Sequence, residues 1–253
     1  MLKDREDKNL FKMYDQNSGV FVLSARRDKS TFWISQYECI PKLAEKSAFT
    51  AVVRPYESSS AKVRKFRMFS TKCEHCDDEL FKYTCGHNEE KKEGETGFEE
   101  RQHLADIRHT DQIIRGADVQ ARFMDCEIPF VRSDLSRVVW CPRAAKEAEP
   151  EERYERLGSP HSKTDEVAFS FDTKLPEWNH AAESLVMQFA GRRVKVASSK
   201  NMLLHCKVGD EKPKQMLQFG KACSGKYHLD YKHPMSALQA FGICLTTFAW
   251  QKK

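Results

Sequence analysis

The chain has 253 residues, of which 40% are hydrophobic and 31% are charged, and its formal net charge is +5. This hydrophobic content excludes a disordered chain, and the small net charge means that any anion-binding surface must come from local clustering of basic residues. The nine cysteines and the charged start MLKDREDKN, which cannot be a signal peptide, predict a reducing cytosolic or nuclear environment with mostly free thiols.

Most of the chain is predicted to form short β-strands. Segments rich in β-branched and aromatic residues are separated by Gly, Asn, Asp, Ser or charged turns. Several segments alternate with period two, so that Tyr227, Leu229 and Tyr231 share one strand face. In chain order the predicted strands are GVFVLSA, TFWISQY, SAFTAVVR, KVRKFRMFST, ARFMDCEI, VVWC, EVAFSF, AESLVMQF, NMLLHC, QMLQFGK and KYHLDY.

A polar segment at residues 72–100 interrupts the strands and is predicted to be an insertion. It contains the motif KCEHCDDELFKYTCGH. Three thiolates and an imidazole are suitable ligands for a structural Zn²⁺ ion, which would order a loop too hydrophilic to fold alone. The candidate ligands are Cys73, Cys76, Cys85 and His87. His75 is a competing ligand, and the alternative is a mobile loop with reduced cysteines, because the spacing is not a common zinc-finger pattern.

Two further polar stretches are predicted to lie at the surface. Residues 144–166 are highly charged and contain Pro and Gly, which predicts an exposed loop. Gly191, Arg192, Arg193 and Lys195 are interpreted as a turn and strand edge without a ligand.

The C-terminal segment from Met235 to Trp250 carries no formal charge and is apolar around most of a helical circumference. A surface helix is apolar over a limited stripe, so this pattern predicts a buried helix. A membrane anchor is a poorer alternative, because the helix would be about 24 Å long against a hydrocarbon core of about 30 Å. Many antiparallel strands and one such helix predict a closed β-barrel filled by the helix, with a β-sandwich and an external helix as the alternative.

Ordered motifs in the last third resemble the C-terminal domain of the tubby-like proteins. They are Pro-x-Trp-Asn, Phe-x-Gly-Arg, Ala-Ser-x-Lys-Asn, Gln-Phe-Gly-Lys, and Asp-Tyr-x-x-Pro followed by Ala-Leu-Gln-Ala-Phe. Weaker agreement runs upstream through most of the chain. The resemblance implies a mainly β (α+β) fold: one domain over residues 1–253, forming a closed, roughly twelve-stranded antiparallel barrel around a central helix at 234–250. The first strand of that fold precedes NLFKMYD, so here it is expected to be short or missing.

The same resemblance implies a basic site for phosphoinositide head groups, chiefly the 4,5-bisphosphate. Arginine grips phosphate oxygens bidentately and lysine adds a point charge. The positions that match the family's basic residues are Arg26, Arg27, Lys29 and Arg54. Arg64, Lys65 and Arg67 in KVRKFRMF are expected to reinforce them, because Lys65 and Arg67 share one strand face. Asp28 cancels one charge of the run.

The sequence lacks the common enzyme motifs for hydrolases, nucleotide-binding loops and zinc proteases, which favours a noncatalytic protein. The resemblance implies an adaptor that docks on the cytoplasmic face of the plasma membrane and tethers membrane-protein cargo, including in ciliary trafficking. It requires no cofactor besides the zinc ion considered above, has no transmembrane segment, and is expected to be a monomer. The alternatives are a nuclear, nucleic-acid-binding transcriptional regulator and a protein-interaction barrel without lipid binding.

Overall fold

A computed structural model describes residues 1–4, 6–40, 43, 48–60, 63–71, 102–114, 119–132, 134–138, 168–206 and 212–249. The cysteine- and histidine-containing motif, the charged loop at 144–166 and Trp250 lie outside these residues. The described strands are β1 (Leu2–Lys3), β2 (Leu10–Tyr14), β3 (Phe21–Asp28), β4 (Thr31–Ser35), β5 (Ala51–Ser60), β6 (Val63–Ser70), β7 (His103–Ile114), β8 (Val119–Pro129), β9 (Ala168–Thr173), β10 (Glu177–Asn179), β11 (Ser184–Val186), β12 (Met202–Cys206), β13 (Lys214–Cys223) and β14 (Lys226–Tyr231); a 3₁₀ turn (Ala190–Arg192) and the helix α1 (Ala237–Ala249) complete the elements.

Twelve of these strands form a closed antiparallel barrel in the order β1-β14-β13-β12-β9-β8-β7-β6-β5-β4-β3-β2. Their side chains alternate, so that Leu23 and Ala25 of β3, for example, join the buried core while Asp28 is exposed. The predicted fold class is therefore confirmed.

Helix α1 lies inside this barrel, where Phe241, Ile243 and Leu245 are fully buried. Its first turn is closed by a capping box, in which the Ser236 hydroxyl accepts the amide of Gln239 at 3.2 Å and the Gln239 side chain accepts the amide of Ser236 at 3.0 Å. Among the described residues, no helix is long and apolar enough to cross a membrane.

The polar ends of α1 are bonded to the barrel wall. Gln239 Nε2 donates to the carbonyl of Leu104 at 3.0 Å, and Arg64 Nη1 donates to the carbonyl of Ala249 at 3.0 Å. Arg64 thereby satisfies one of the carbonyls left unpaired at the helix C-terminus and places a positive charge at the negative end of the helix dipole.

The first strand is short, as expected, but it closes the barrel. Leu2 pairs with both Lys226 of β14 and Lys12 of β2. The amine of Met1 donates to the carbonyl of Tyr227 at 2.8 Å, and the amide of Tyr227 donates back to Met1 at 2.9 Å.

The predicted strand AESLVMQF is only partly a strand. Ser184–Val186 pairs with β10 in a two-stranded sheet outside the barrel. Its exposed and partly exposed side chains show that the apolar composition of this segment does not mark a barrel strand.

Candidate anion-binding surface

The predicted basic residues of the first run lie on the β3–β4 hairpin, on two different faces. Arg26 stands opposite Trp33 and Arg27 opposite Phe32. Because Leu23 and Ala25 point into the core, Arg26 lies on the outer face and Arg27 continues the inner face. Lys29 lies in the two-residue turn with a positive φ of 54°. The three cations therefore surround the tip of one hairpin and do not form a single row.

Arg26 is partly neutralised by an acidic neighbour. Its Nη1 atom lies 3.4 Å from Asp7 Oδ2, and its side chain is 34% exposed. An exposed ion pair of this kind is worth little energetically. A phosphate with more negative charge can therefore compete with Asp7 for the Arg26 guanidinium.

Arg27 lies at the end of the barrel, beside a cation that the sequence analysis did not identify. Its guanidinium is 5.8 Å from the ring centre of Phe32, and Nε donates to the carbonyl of Lys29 at 2.6 Å. Burial lowers the pKa of Arg27. Burial also lowers the pKa of Lys3, followed by the positive charges of Arg27 and Lys8. The positive charges of Lys3, Lys8 and Arg27 thus act on one another at this end of the barrel. Lys3 was not predicted, because the two-residue strand β1 is too short to show a sequence pattern.

Arg54 belongs to a second basic group on the outer face of β5 and β6. It stands directly opposite Arg67, and its guanidinium carbon lies 5.3 Å from the ring centre of Phe69. Arg67 stacks on Tyr56 at 3.9 Å, and Lys65 stands opposite the same tyrosine. Like charges on directly opposite strand positions repel each other, and here the ion pair of Arg67 with Asp106 offsets part of that repulsion.

Arg26 of the β3–β4 hairpin and Arg54 of β5 lie close together on the same outer wall of the barrel. Arg26 is in line with Trp33 and Val52 across β4, and Arg54 is two residues further along β5. Two strand spacings and two residues correspond to about 12 Å between the Cα atoms of Arg26 and Arg54. Long arginine side chains from both positions can converge on one multiply charged ligand, whereas Arg27 approaches only from the barrel end.

The positive wall ends at β7, where acidic residues begin. Asp106 lies 3.2 Å from Arg67 Nε, and Asp125 binds Arg108 Nε through both oxygens at 2.8 Å. Glu127 of β8 pairs with Asp106 of β7. Burial, together with the negative charges of Asp106 and Asp125, raises the pKa of Glu127 to about 7, although a hydrogen bond from Ser170 acts in the opposite direction. The basic sector of the outer wall is therefore limited to β3–β6.

No metal site accompanies this surface in the part of the chain that the structure describes: it contains no group of three or more His, Cys, Asp or Glu side chains arranged to hold an ion. The zinc motif stays a prediction, because its four candidate ligands lie outside that part.

The domain is therefore a closed β-barrel that is filled by its own C-terminal helix and has basic residues on one sector of its outer wall. The chain belongs to the Tub family, whose family model matches residues 2–250.

Relatives from a plant and from two animals support this assignment. The chain is similar to Tubby-like F-box protein 5 of Oryza sativa subsp. japonica (40% identity over 92 residues, 34% of this chain and 21% of the relative). It is also similar to Tubby-related protein 1 of Mus musculus (34% over 151 residues, 58% of this chain and 25% of the relative) and Tubby protein homolog 1 of Caenorhabditis elegans (38% over 76 residues, 30% and 17%). The chain spans a quarter or less of the length of these relatives.

Proposed function

We propose that this domain is a noncatalytic adaptor that binds phosphoinositide head groups, with phosphatidylinositol 4,5-bisphosphate as the preferred ligand, and so tethers its protein partners to the cytoplasmic face of a membrane. The observation that carries the proposal is the position of Arg26 and Arg54 on one outer wall, with Arg67 and Lys65 beside Arg54. Membership of the Tub family supports the same proposal.

In this proposal the two vicinal phosphates lie across β4, between the guanidinium groups of Arg26 and Arg54. Each guanidinium donates in parallel to two phosphate oxygens, which gives geometric preference for a phosphate over a single lipid carboxylate. Arg27, Lys29 and Lys3 at the hairpin end face the membrane surface and add about 1 kcal/mol per basic residue through the anionic lipid field. The carbon ring of the head group rests against the wall.

The test is co-sedimentation with liposomes that contain phosphatidylinositol 4,5-bisphosphate, compared with liposomes of phosphatidylserine at equal total charge. We expect the parent chain to prefer the phosphoinositide, and Arg26→Ala/Arg54→Ala to lose that preference by at least about tenfold, because two charge-assisted contacts are removed. Lys232→Ala is the matched control, since Lys232 is an exposed cation beyond the far end of β14. Equal binding of both lipids by the parent chain, unchanged by the double substitution, would refute the proposal.

Nucleic-acid binding is the less well supported alternative. A groove that follows a phosphate backbone needs a continuous basic track. Here the basic sector is followed immediately by Asp106, Asp125 and Glu127. Steep salt dependence of DNA binding without preference among phosphoinositide isomers would favour the alternative over the proposal.

A further inference from the structure

A group of cations points inward at the end of the barrel where α1 ends. Several of them stand directly opposite buried residues of neighbouring strands: Lys3 opposite Phe11, Arg64 opposite His109, and Lys221 opposite Tyr227. Directly opposite residues of an antiparallel pair share one face of the sheet. The side chains of Lys3, Arg64 and Lys221 therefore lie on the inner face of the wall.

Arg122 and Lys200 belong to the same group. Arg122 stands opposite Asp111, which follows the buried His109 by two residues and so lies on the inner face of β7. Lys200 lies beside Arg122, because both line a cavity of about 30 Å³ that also reaches His109 and Thr247. We call this group the mouth cations: Lys3, Arg64, Arg122, Lys200 and Lys221.

The mouth cations lie around the last turn of α1 and are partly buried. The ammonium groups of Lys3 and Lys200 are 5.9 Å and 5.5 Å from the ring centre of Phe248. Their charges act on one another, since burial lowers the pKa of Lys200, followed by the positive charges of Arg122 and Lys3. Positive charge is therefore concentrated in a place that is partly shielded from water.

Negative groups at this end offset only part of the positive charge. Arg64 donates to the carbonyl of Ala249, and the C-terminus of a helix is equivalent to about half an elementary negative charge. Asp111 faces Arg122 across the ladder. Within the described ranges, no carboxylate oxygen lies within 4.0 Å of an ammonium group of the mouth cations. The lysines of the group therefore hold positive charge that an added anion can neutralise.

We propose that the mouth cations bind a small, soluble polyphosphate, a compound with two or more adjacent phosphate groups, at a site separate from the proposed head-group site. Ammonium and guanidinium groups from several strands can each donate to a different phosphate oxygen. The cavity beside Arg122 and Lys200 has room for about two water molecules, and so for phosphate oxygens. A larger cavity of about 660 Å³ shares Ser199 and Asn201 with it, which leaves space for the remainder of the compound.

The inward direction of the mouth cations favours a free compound over a lipid. A head group held in a flat bilayer approaches the rim of the barrel end, whereas these side chains lie on the inner face around Phe248. The proposed head-group site, in contrast, lies on the outer face of β3–β6. The two sites can therefore be tested separately.

The experiment is an NMR titration of the whole chain with inorganic tripolyphosphate. The ring resonances of Phe248 report the affinity at the mouth itself, because Lys3 and Lys200 lie against this ring. We expect these resonances to shift and to saturate in the parent chain. Lys200→Met/Lys221→Met should bind at least about tenfold more weakly, since two charge-assisted contacts are removed while the apolar stems stay.

Lys174→Met is the matched control for the loss of charge. Lys174 follows β9 and is exposed, and it is not one of the mouth cations. We expect Lys174→Met to bind tripolyphosphate as the parent chain does, with all variants folded by circular dichroism. A second measurement, co-sedimentation with phosphoinositide liposomes, should show the same lipid preference for Lys200→Met/Lys221→Met as for the parent chain.

Several results would overturn the inference: unchanged Phe248 resonances at high tripolyphosphate, equal affinity of the parent chain and Lys200→Met/Lys221→Met, an equal loss in Lys174→Met, or an effect of the double substitution on liposome binding alone. The titration contains no lipid, so its outcome does not depend on the proposed head-group site. Conversely, a failure of Arg26 and Arg54 to bind phosphoinositides would leave the expected tripolyphosphate result unchanged.

Discussion

At the scale of single residues, His109 shows how a polar group is held in the barrel interior. The Thr246 hydroxyl donates to the carbonyl of Ile243 at 2.6 Å, so it accepts from His109 Nε2 at 2.8 Å. The Nε2 atom of His109 therefore carries a proton. Burial, followed by the positive charges of Arg122 and Arg64, lowers the pKa of His109 to about 3.

This pKa predicts a loss of stability in mild acid. The unfolded chain binds a proton at His109 below the ordinary pKa of 6.5, whereas the folded chain does not until about pH 3. The stabilisation is complete above pH 6.5 and falls as the pH decreases toward 3. When the pH falls from 7 to 4.5, the unfolding free energy of the parent chain should decrease by about 2 to 3 kcal/mol more than that of His109→Gln. The Gln side-chain amide can still donate to Thr246 but does not titrate. Urea denaturation at both pH values checks this, and parallel pH profiles would contradict it.

The basic residues show what a residue-by-residue resemblance cannot supply. Matching positions predicted Arg26, Arg27, Lys29 and Arg54 as one site but did not assign the first two to opposite faces of β3. The alternation of Leu23, Ala25 and Arg27 already carried this information. The ion pair of Arg26 with Asp7 and the field shared by Lys3 and Arg27 depend on the loop path and on barrel closure, and no local pattern encodes them.

At the scale of elements, the sequence predicted α1 and most barrel strands because their periodicities are strong. A helix that is apolar nearly all round and too short to span a membrane is favoured in a protein interior, here the barrel. The segment AESLVMQF was misleading, because a short hairpin packed at the surface uses the same residue types as a barrel strand. The three-residue strands β10 and β11 are too short to show any period.

The segment that follows the 3₁₀ turn is bonded to β13 through residues of two sequence motifs, Ala-Ser-x-Lys-Asn and Gln-Phe-Gly-Lys. The amides of Lys195 and Val196 donate to the carbonyl of Lys221, and Asn201 Oδ1 accepts the amide of Lys221 at 2.9 Å. Val194 lies so close to Gly220 that a β-carbon at position 220 would overlap both of its methyl groups. The glycine of the Gln-Phe-Gly-Lys motif is therefore required by packing, since its φ is not in the left-handed region.

Gly220→Ala should accordingly destabilise the fold by about 1 to 3 kcal/mol, the usual cost of overpacking a well-packed site. The double variant Gly220→Ala/Val194→Ala removes the overlapping methyl groups and should recover part of that loss, whereas Val194→Ala alone should destabilise mildly. Chemical denaturation of the three variants gives the coupling between the two sites. Additive effects would show that the contact does not determine the choice of glycine.

At the scale of the whole molecule, the helix adds aromatic contacts to the strand pairing that closes the barrel. β1 contributes the pairs of Leu2 and Lys3, together with the reciprocal bonds between Met1 and Tyr227, to the seam between β2 and β14. Phe248 of α1 packs against rings from three strands across this seam, with centroid distances of 4.9 Å to Phe11, 5.2 Å to Tyr227 and 6.3 Å to Phe219. These aromatic contacts join β2, β13 and β14 on the inner side of the seam.

Phe248→Ala should therefore open the seam as well as destabilise the fold. Removing a buried phenylalanine costs about 3 to 5 kcal/mol. If the ring holds β14 to β2, the amides of Tyr227 and Lys3, which bond across the seam, should lose hydrogen-exchange protection more than the amides of the β7–β8 ladder. Phe171→Ala is the matched control, because Phe171 is equally buried but lies on β9 and pairs with β8 and β12. A uniform loss of protection in Phe248→Ala, or the same seam opening in Phe171→Ala, would show that closure does not depend on the helix.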